Sequence, residues 1–139
     1  MLLPYLKMQG AGNQIVVVDQ RIDAHPPPAP EVIRKLGHGG TGPGFDQLMW
    51  VGPATDAAAS ASYRVFYRDG SEVQQCGNGV RCVACMLARD GADGGPMLLE
   101  SPAGPVEAVV RQDGTVAVNM GAPELEPGRV PFVADERQD

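Results

Sequence analysis

Between Asn78 and Arg89 the apolar residues Val80, Val83, Ala84, Leu87 and Ala88 return at intervals of three and four, the period of an amphipathic helix, and Gly91 stands where such a helix stops. Nearly everything around this helix is a short alternating run. PYLKMQG and QIVVVDQ flank the turn GAGN, where Gly10 and Gly12 supply backbone freedom, and they read as a hairpin. QLMWVG and SYRVFYRDG alternate as strands, the second turned over at RDGS. PMLLES, PVEAVVRQ and TVAVNMG follow, the last two joined across Asp113 and Gly114, a strong hairpin pair. A second, shorter helix opens at Pro30 and runs through EVIRKLG, after the stiff connector DAHPPPAP. GHGGTGPGFDQ is too rich in glycine to be anything but loop. About seven strands with mostly hairpin-length connections, around one long helix with a single apolar face, predict the α+β class: a mostly antiparallel sheet wrapping a central helix.

A chain of 139 residues is about one domain, and at this size roughly two-thirds of the unfolded surface is buried, enough to fold without staples. The apolar fraction of 43% and charged fraction of 20% are those of a soluble globular protein. Seventeen acids against eleven bases leave a net charge of -6, which argues against nucleic acid or an anionic membrane surface as partner. No run approaches the ~18 apolar residues of a membrane span, and Pro4 interrupts an N-terminal apolar stretch too short for a secretory signal. A cytoplasmic location is therefore expected. The three cysteines, Cys76, Cys82 and Cys85, fall close together and make a poor disulfide framework, which fits a reducing compartment. Residues 1–122 read as the folded unit, and 123–139, with Pro123, Pro127 and Pro131 among scattered charges, as the start of a linker.

Cys76 immediately precedes the longer helix, where the first backbone N–H groups lack partners and the helix dipole is positive. A thiolate is stabilised in such a place, and thiols there fall from a pKa near ~8.5 into the range of about 3.5 to 7.5. In CGNG the two glycines keep the first turn clear of side chains, so an anion such as a carboxylate can reach the amides of Gly77 and Asn78. A base and an anion cradle within one segment are what proton abstraction next to a carboxylate requires. The competing reading is a buried structural cysteine before an ordinary turn. For Cys82 and Cys85, inside the helix, that small-hydrophobe role is the expected one, and a redox pair there lacks the exposed helix-start setting such pairs use. A zinc site is not expected, because His25 and His38 complete no standard ligand set with these spacings.

DGSEVQQCGNGVRC resembles the first active-site signature of the diaminopimelate epimerases, cofactor-free isomerases of bacterial lysine and cell-wall biosynthesis. KMQGAGNQIVVVD is similar to that family's N-terminal strand-turn-strand, GFDQL to its second loop motif and VNMGAP to the strand closing its first lobe. The resemblance implies one lobe of a two-lobed fold and inversion at an amino-acid α-carbon by two cysteines, one as thiolate base and one as thiol acid, with no cofactor and no metal. It implies that Cys76 is one of the two thiols, that Gly77 and Asn78 hold the α-carboxylate, and that Asn13 and Gln47 reach the far end of diaminopimelate. Asp46 and Glu72 are expected to brace loops.

Two departures from the family pattern bear on function. Where the family reads Phe-Asn ahead of DGSE, with the asparagine at the distal end of the substrate, this chain has Tyr67. Family members are also roughly twice as long and keep their second thiol in a second lobe absent here. The expectation is thus an isolated N-terminal lobe, inactive for epimerisation alone, whose partners are the amino-acid substrate, the missing C-terminal lobe and, through the uncovered face or a sheet edge, a second copy in a homodimer. Two other readings stand beside it: the same lobe from a racemase of another amino acid, and a non-catalytic carboxylate-binding or assembly module.

Overall fold

The computed structural model describes residues 2–74, 76–91 and 95–130. In chain order the elements are β1 (Leu6–Gly10), β2 (Asn13–Asp19), α1 (Pro30–Gly37), β3 (Gln47–Gly52), β4 (Ala61–Tyr67), β5 (Glu72–Val73), α2 (Gly77–Arg89), β6 (Pro96–Ser101), β7 (Gly104–Val110) and β8 (Val116–Val118), followed by a single 3-10 turn at Pro127–Arg129. The strands form one curled sheet in the order β1-β2-β3-β4-β6-β7-β8, with β5 pairing only β4. The α+β architecture expected from the periodicities is present. Two of its pairings, β2 with β3 and β4 with β6, are parallel. Each is bridged by a helical crossover, α1 in the first case and α2 in the second, because a parallel neighbour cannot be reached by a tight turn.

Alternation along the strands divides the core. Ile15, Val17, Met49, Val51, Tyr63 and Val65 face α2, which presents Val80, Val83 and Leu87 to them. Val16, Val18, Leu48, Trp50 and Phe66 point the other way, onto Ile33 of α1 and Phe45. Strands β2 and β3 are therefore covered on both faces, which is why IVVV and LMWV read as continuous apolar runs. Each fully buried aliphatic side chain of α2 contributes about 1.5–3 kcal/mol of transfer free energy, enough to dock the helix against the concave face.

Three local readings are refined. In the first hairpin the positive φ values belong to Ala11 (48°) and Gly12 (90°), not to Gly10. Gly10 serves a different need: a Cβ there would lie 3.3 Å from both the Cβ and the carbonyl oxygen of Asn78, so its bare backbone lets the hairpin approach α2. β8 is shorter than the run TVAVNMG: Asn119 N still donates to Glu107 O at 2.9 Å, but beyond it the Asn119 side chain accepts from Gly121 N at 2.9 Å and Gly121 takes φ 79°, turning the chain. The expected linker is exposed from Pro123 to Arg129, and its residues 131–139 lie outside the described ones. Among the described residues no helix is long and apolar enough to cross a membrane.

Candidate active site

Cys76 is the N-cap of α2, in extended conformation (φ -154°, ψ 101°), and its Sγ accepts from Gly79 N at 3.3 Å. The first turn is pressed against β3: a Cβ on Gly79 would come 2.3 Å from Met49 Sδ, so only glycine lets the thiol and the strand meet at this spacing. On its other side Sγ is hydrogen-bonded to Oε1 of Gln47, the thiol donating, across 29 residues of sequence. Both residues are 8% exposed, so the sulfur is sheltered yet reachable.

Register explains what else gathers here. Asn13 begins β2 and Gln47 begins the parallel β3, while Tyr67 ends the antiparallel β4; Ile15 pairs with Gln47, and Gln47 with Tyr67. All three sit at one end of the sheet. By alternation they share the face of Ile15, Met49 and Val65, which is the face α2 covers. Asn13 is half-buried and Tyr67 is exposed. The structure thus brings Asn13, Gln47, Tyr67, Cys76, Gly77 and Asn78 to the start of one helix, but it engages the Gln47 side chain inward, with the thiol.

The amides of Gly77 and Asn78 have no acceptor among the described residues, as befits the first positions of a helix. Sequence reading missed Arg81, whose Nη1 donates to Asn78 Oδ1 at 2.9 Å and would stand 3.8 Å from a Cβ on Gly77. Its three-residue spacing from Asn78 was the available signal. The Arg81 guanidinium thus stands beside the first turn of α2, next to the amide of Gly77. It also missed Tyr63 and Met120, which with Val106 and Asn119 bound a cavity of about 200 Å³ next to Cys76. The Tyr63 hydroxyl is buried without a hydrogen-bond partner among the described residues. Burial, above all, raises its pKa, with a nearby Ser101 opposing and Cys76 adding to the rise; the Ser101 hydroxyl itself donates to Gly104 O at 2.7 Å.

Asp46 and Glu72 brace the frame. Asp46 Oδ2 accepts from Gln14 N at 2.8 Å while Asp46 N donates to Gln14 O at 2.8 Å, locking the loop before β3 onto β2. Glu72 accepts from Nε and Nη2 of Arg64, at 2.8 and 2.7 Å. Cys82 is buried in the body of α2, and desolvation, with smaller effects of Cys85 and Cys76, pushes its thiol up to about 11. It stays protonated at neutral pH. Cys85, half-buried, lies a turn further on. Both histidines are exposed, His38 Nδ1 accepting from Gly40 N at 3.2 Å within its own loop. No group of three or more metal-ligating side chains occurs among the described residues.

The chain matches the family model for diaminopimelate epimerase over residues 5–126. It is 45% identical over 139 residues to a diaminopimelate epimerase of Halorhodospira halophila, covering 97% of this chain and 47% of that protein. A diaminopimelate epimerase of Ectopseudomonas mendocina is 44% identical over 137 residues, covering 98% and 49%. The chain spans about half the length of these relatives. Among solved structures, a hydroxyproline epimerase from Agrobacterium vitis with bound trans-4-hydroxy-L-proline superposes with a TM-score of 0.64 at 21% identity, covering 82% of this chain and 40% of that one. A methylitaconate-delta-isomerase gives 0.58 at 17% identity, covering 84% and 62%. These likenesses show the shared fold.

Proposed function

Because this chain belongs to the diaminopimelate epimerase family, we propose that it is the N-terminal lobe of a cofactor-independent epimerase that interconverts LL- and meso-diaminopimelate, supplying one acid/base thiol and half of the substrate cleft. The observation that carries this reading is the placement of Cys76 at the start of α2 beside the amides of Gly77 and Asn78, which have no acceptor among the described residues. An α-carboxylate seated on those amides, with Arg81 adjacent, puts the α-hydrogen next to Sγ. The α-proton is weakly acidic, so its removal requires charge stabilisation by oriented donors in a site shielded from water. The amides, the helix dipole and Arg81 supply the first requirement. Asn13, at the same end of the sheet, receives the rest of the substrate.

Inversion also needs a proton delivered from the opposite face. Cys82 and Cys85 lie on the same helix as the cradle, behind Cys76, so the acid is assigned to the second half that the relatives' length implies, and the lobe alone does not epimerise. The test is incubation of diaminopimelate with this chain in heavy water under reducing conditions, and again with the chain joined to the C-terminal half of a relative. We expect no inversion with deuterium uptake in the first case and Cys76-dependent inversion in the second. Inversion by the lobe alone would overturn the half-site assignment. Tyr67, exposed beside Gln47, motivates a second reading, a racemase acting on a different amino acid. Failure of the joined protein to turn over diaminopimelate, with turnover of another amino acid, would favour it.

A further inference from the structure

The Cys76 thiol has its donor and its acceptor both occupied: S–H points to Gln47 Oε1, and Sγ receives Gly79 N–H. A thiolate in the same place would face a carbonyl oxygen, which repels it. Of the two described groups hydrogen-bonded to the sulfur, Gln47 can change its answer and the Gly79 amide cannot. Its Nε2 has no acceptor among the described residues, so nothing else fixes which end of the amide meets the sulfur. Its backbone is immobilised, between Ile15 of β2 and Tyr67 of β4 and next to Asp46, which is tied twice to Gln14. The side chain can therefore rotate about its last bond without moving the strand, exchanging oxygen for NH2 at the sulfur.

We propose that Gln47 is a positioning residue that matches both protonation states of Cys76, its oxygen accepting from the thiol and its NH2, after a half-turn, donating to the thiolate. A reversible reaction that uses one thiol as base in one direction and as acid in the other needs both forms held in the same position. An amide does this and a carboxylate does not. The link to catalysis rests on the epimerase reading above; the link between Gln47 and the sulfur does not. The other titratable groups near Cys76 among the described residues are the Tyr63 phenol from β4 and the Cys82 thiol from α2, with the Arg81 guanidinium a turn away on Asn78. Met49 of β3 and Met120 beyond β8 carry no charge.

The experiment uses this chain without substrate: the pH profile of iodoacetamide alkylation at Cys76, resolved by mass spectrometry, for the native protein, Gln47→Glu and Gln47→Met. Gln47→Glu places a carboxylate against the sulfur, so the midpoint rises by about one unit or more and alkylation at pH 7 slows about tenfold. Gln47→Met removes the donor to the thiolate and shifts the midpoint in the same direction by less. Folded variants with the native profile would overturn the proposal. Should neither variant fold, the native protein decides: the two Gln47 side-chain N–H resonances must shift with the Cys76 alkylation midpoint and lose that shift in Cys76→Ala, and resonances indifferent to pH would overturn it equally. Because no arm uses diaminopimelate, failure here and failure of the epimerase reading are distinguishable.

Discussion

Cysteine is a poor choice of helix cap. Serine, threonine, asparagine or aspartate accept far better from the first-turn amides, and the 3.3 Å contact from Gly79 N is all that Sγ receives from the helix. A thiol kept at a cap position, with glycine on either side of Asn78, is better explained by what it does than by what it stabilises. That much was legible in CGNG. The second glycine has a further role that the string does not show, since its lost side chain makes room for Met49, 30 residues away in a different element. Gly79→Ala is expected to lower stability by about 1–3 kcal/mol through overpacking against a fully buried Met49, measured as the urea midpoint. No loss would mean that Met49 finds another rotamer at no cost. Gln47 was identified by resemblance as a residue for the far end of the substrate; its contact with Cys76 was out of sight, because a side chain's partner 29 positions away depends on strand register.

At the scale of the element, α2 is where periodicity performed best: the stretch read as Asn78 to Arg89 begins one residue earlier, and its buried residues include Val80, Val83 and Leu87. The same burial gives the helix a pH limit. The Cys82 thiol, raised by desolvation to about 11, is protonated in the folded state over a range where an unfolded thiol, with a pKa near ~8.5, has ionised. The folded state thus binds the extra proton, and the stability this contributes is fully present below about pH 8.5 and is lost as pH rises toward 11. Tyr63, likewise raised above its ordinary 10.0 by burial, extends the loss to higher pH. A urea-midpoint series should fall across this window, and Cys82→Ala should flatten the fall. An unchanged slope in that variant would place the alkaline loss elsewhere. Strand ends were read less well than the helix. β8 stops at Val118 although Asn119 N still donates to Glu107 O at 2.9 Å, because the Asn119 side chain then accepts from Gly121 N and turns the chain, which alternation alone does not disclose.

Over the whole molecule, the sheet ends in two edges, β1 and β8, neither paired further among the described residues, and large apolar side chains at Leu2, Tyr5, Leu6, Met120 and Leu125 are exposed. Met120 stands beside Gly77, at the mouth of the site. A lobe from a protein of twice the length would present such a surface to its other half. The prediction is that the C-terminal half of a close relative, co-expressed with this chain, forms a one-to-one complex, raises the thermal midpoint by several degrees, about 2–4 °C for each kcal/mol gained, and protects Cys76 from alkylation. A complex that leaves Cys76 equally reactive would put the interface away from the site.

The sequence by itself determined the elements with short-range causes: strands from alternation, α2 from its three-and-four spacing, the hairpin turns from their glycines, and Cys76 at a helix start from its position ahead of the periodic run. Only the tertiary structure decided that β2 and β3 run parallel, that Asn13, Gln47 and Tyr67 end on one rim, and that a glutamine amide meets the thiol. The physical reason is range. Periodicity and turn chemistry act over a few residues, whereas register and the crossovers through α1 and α2 are set by burying both faces of β2 and β3 at once, which depends on side chains from seven elements packed together.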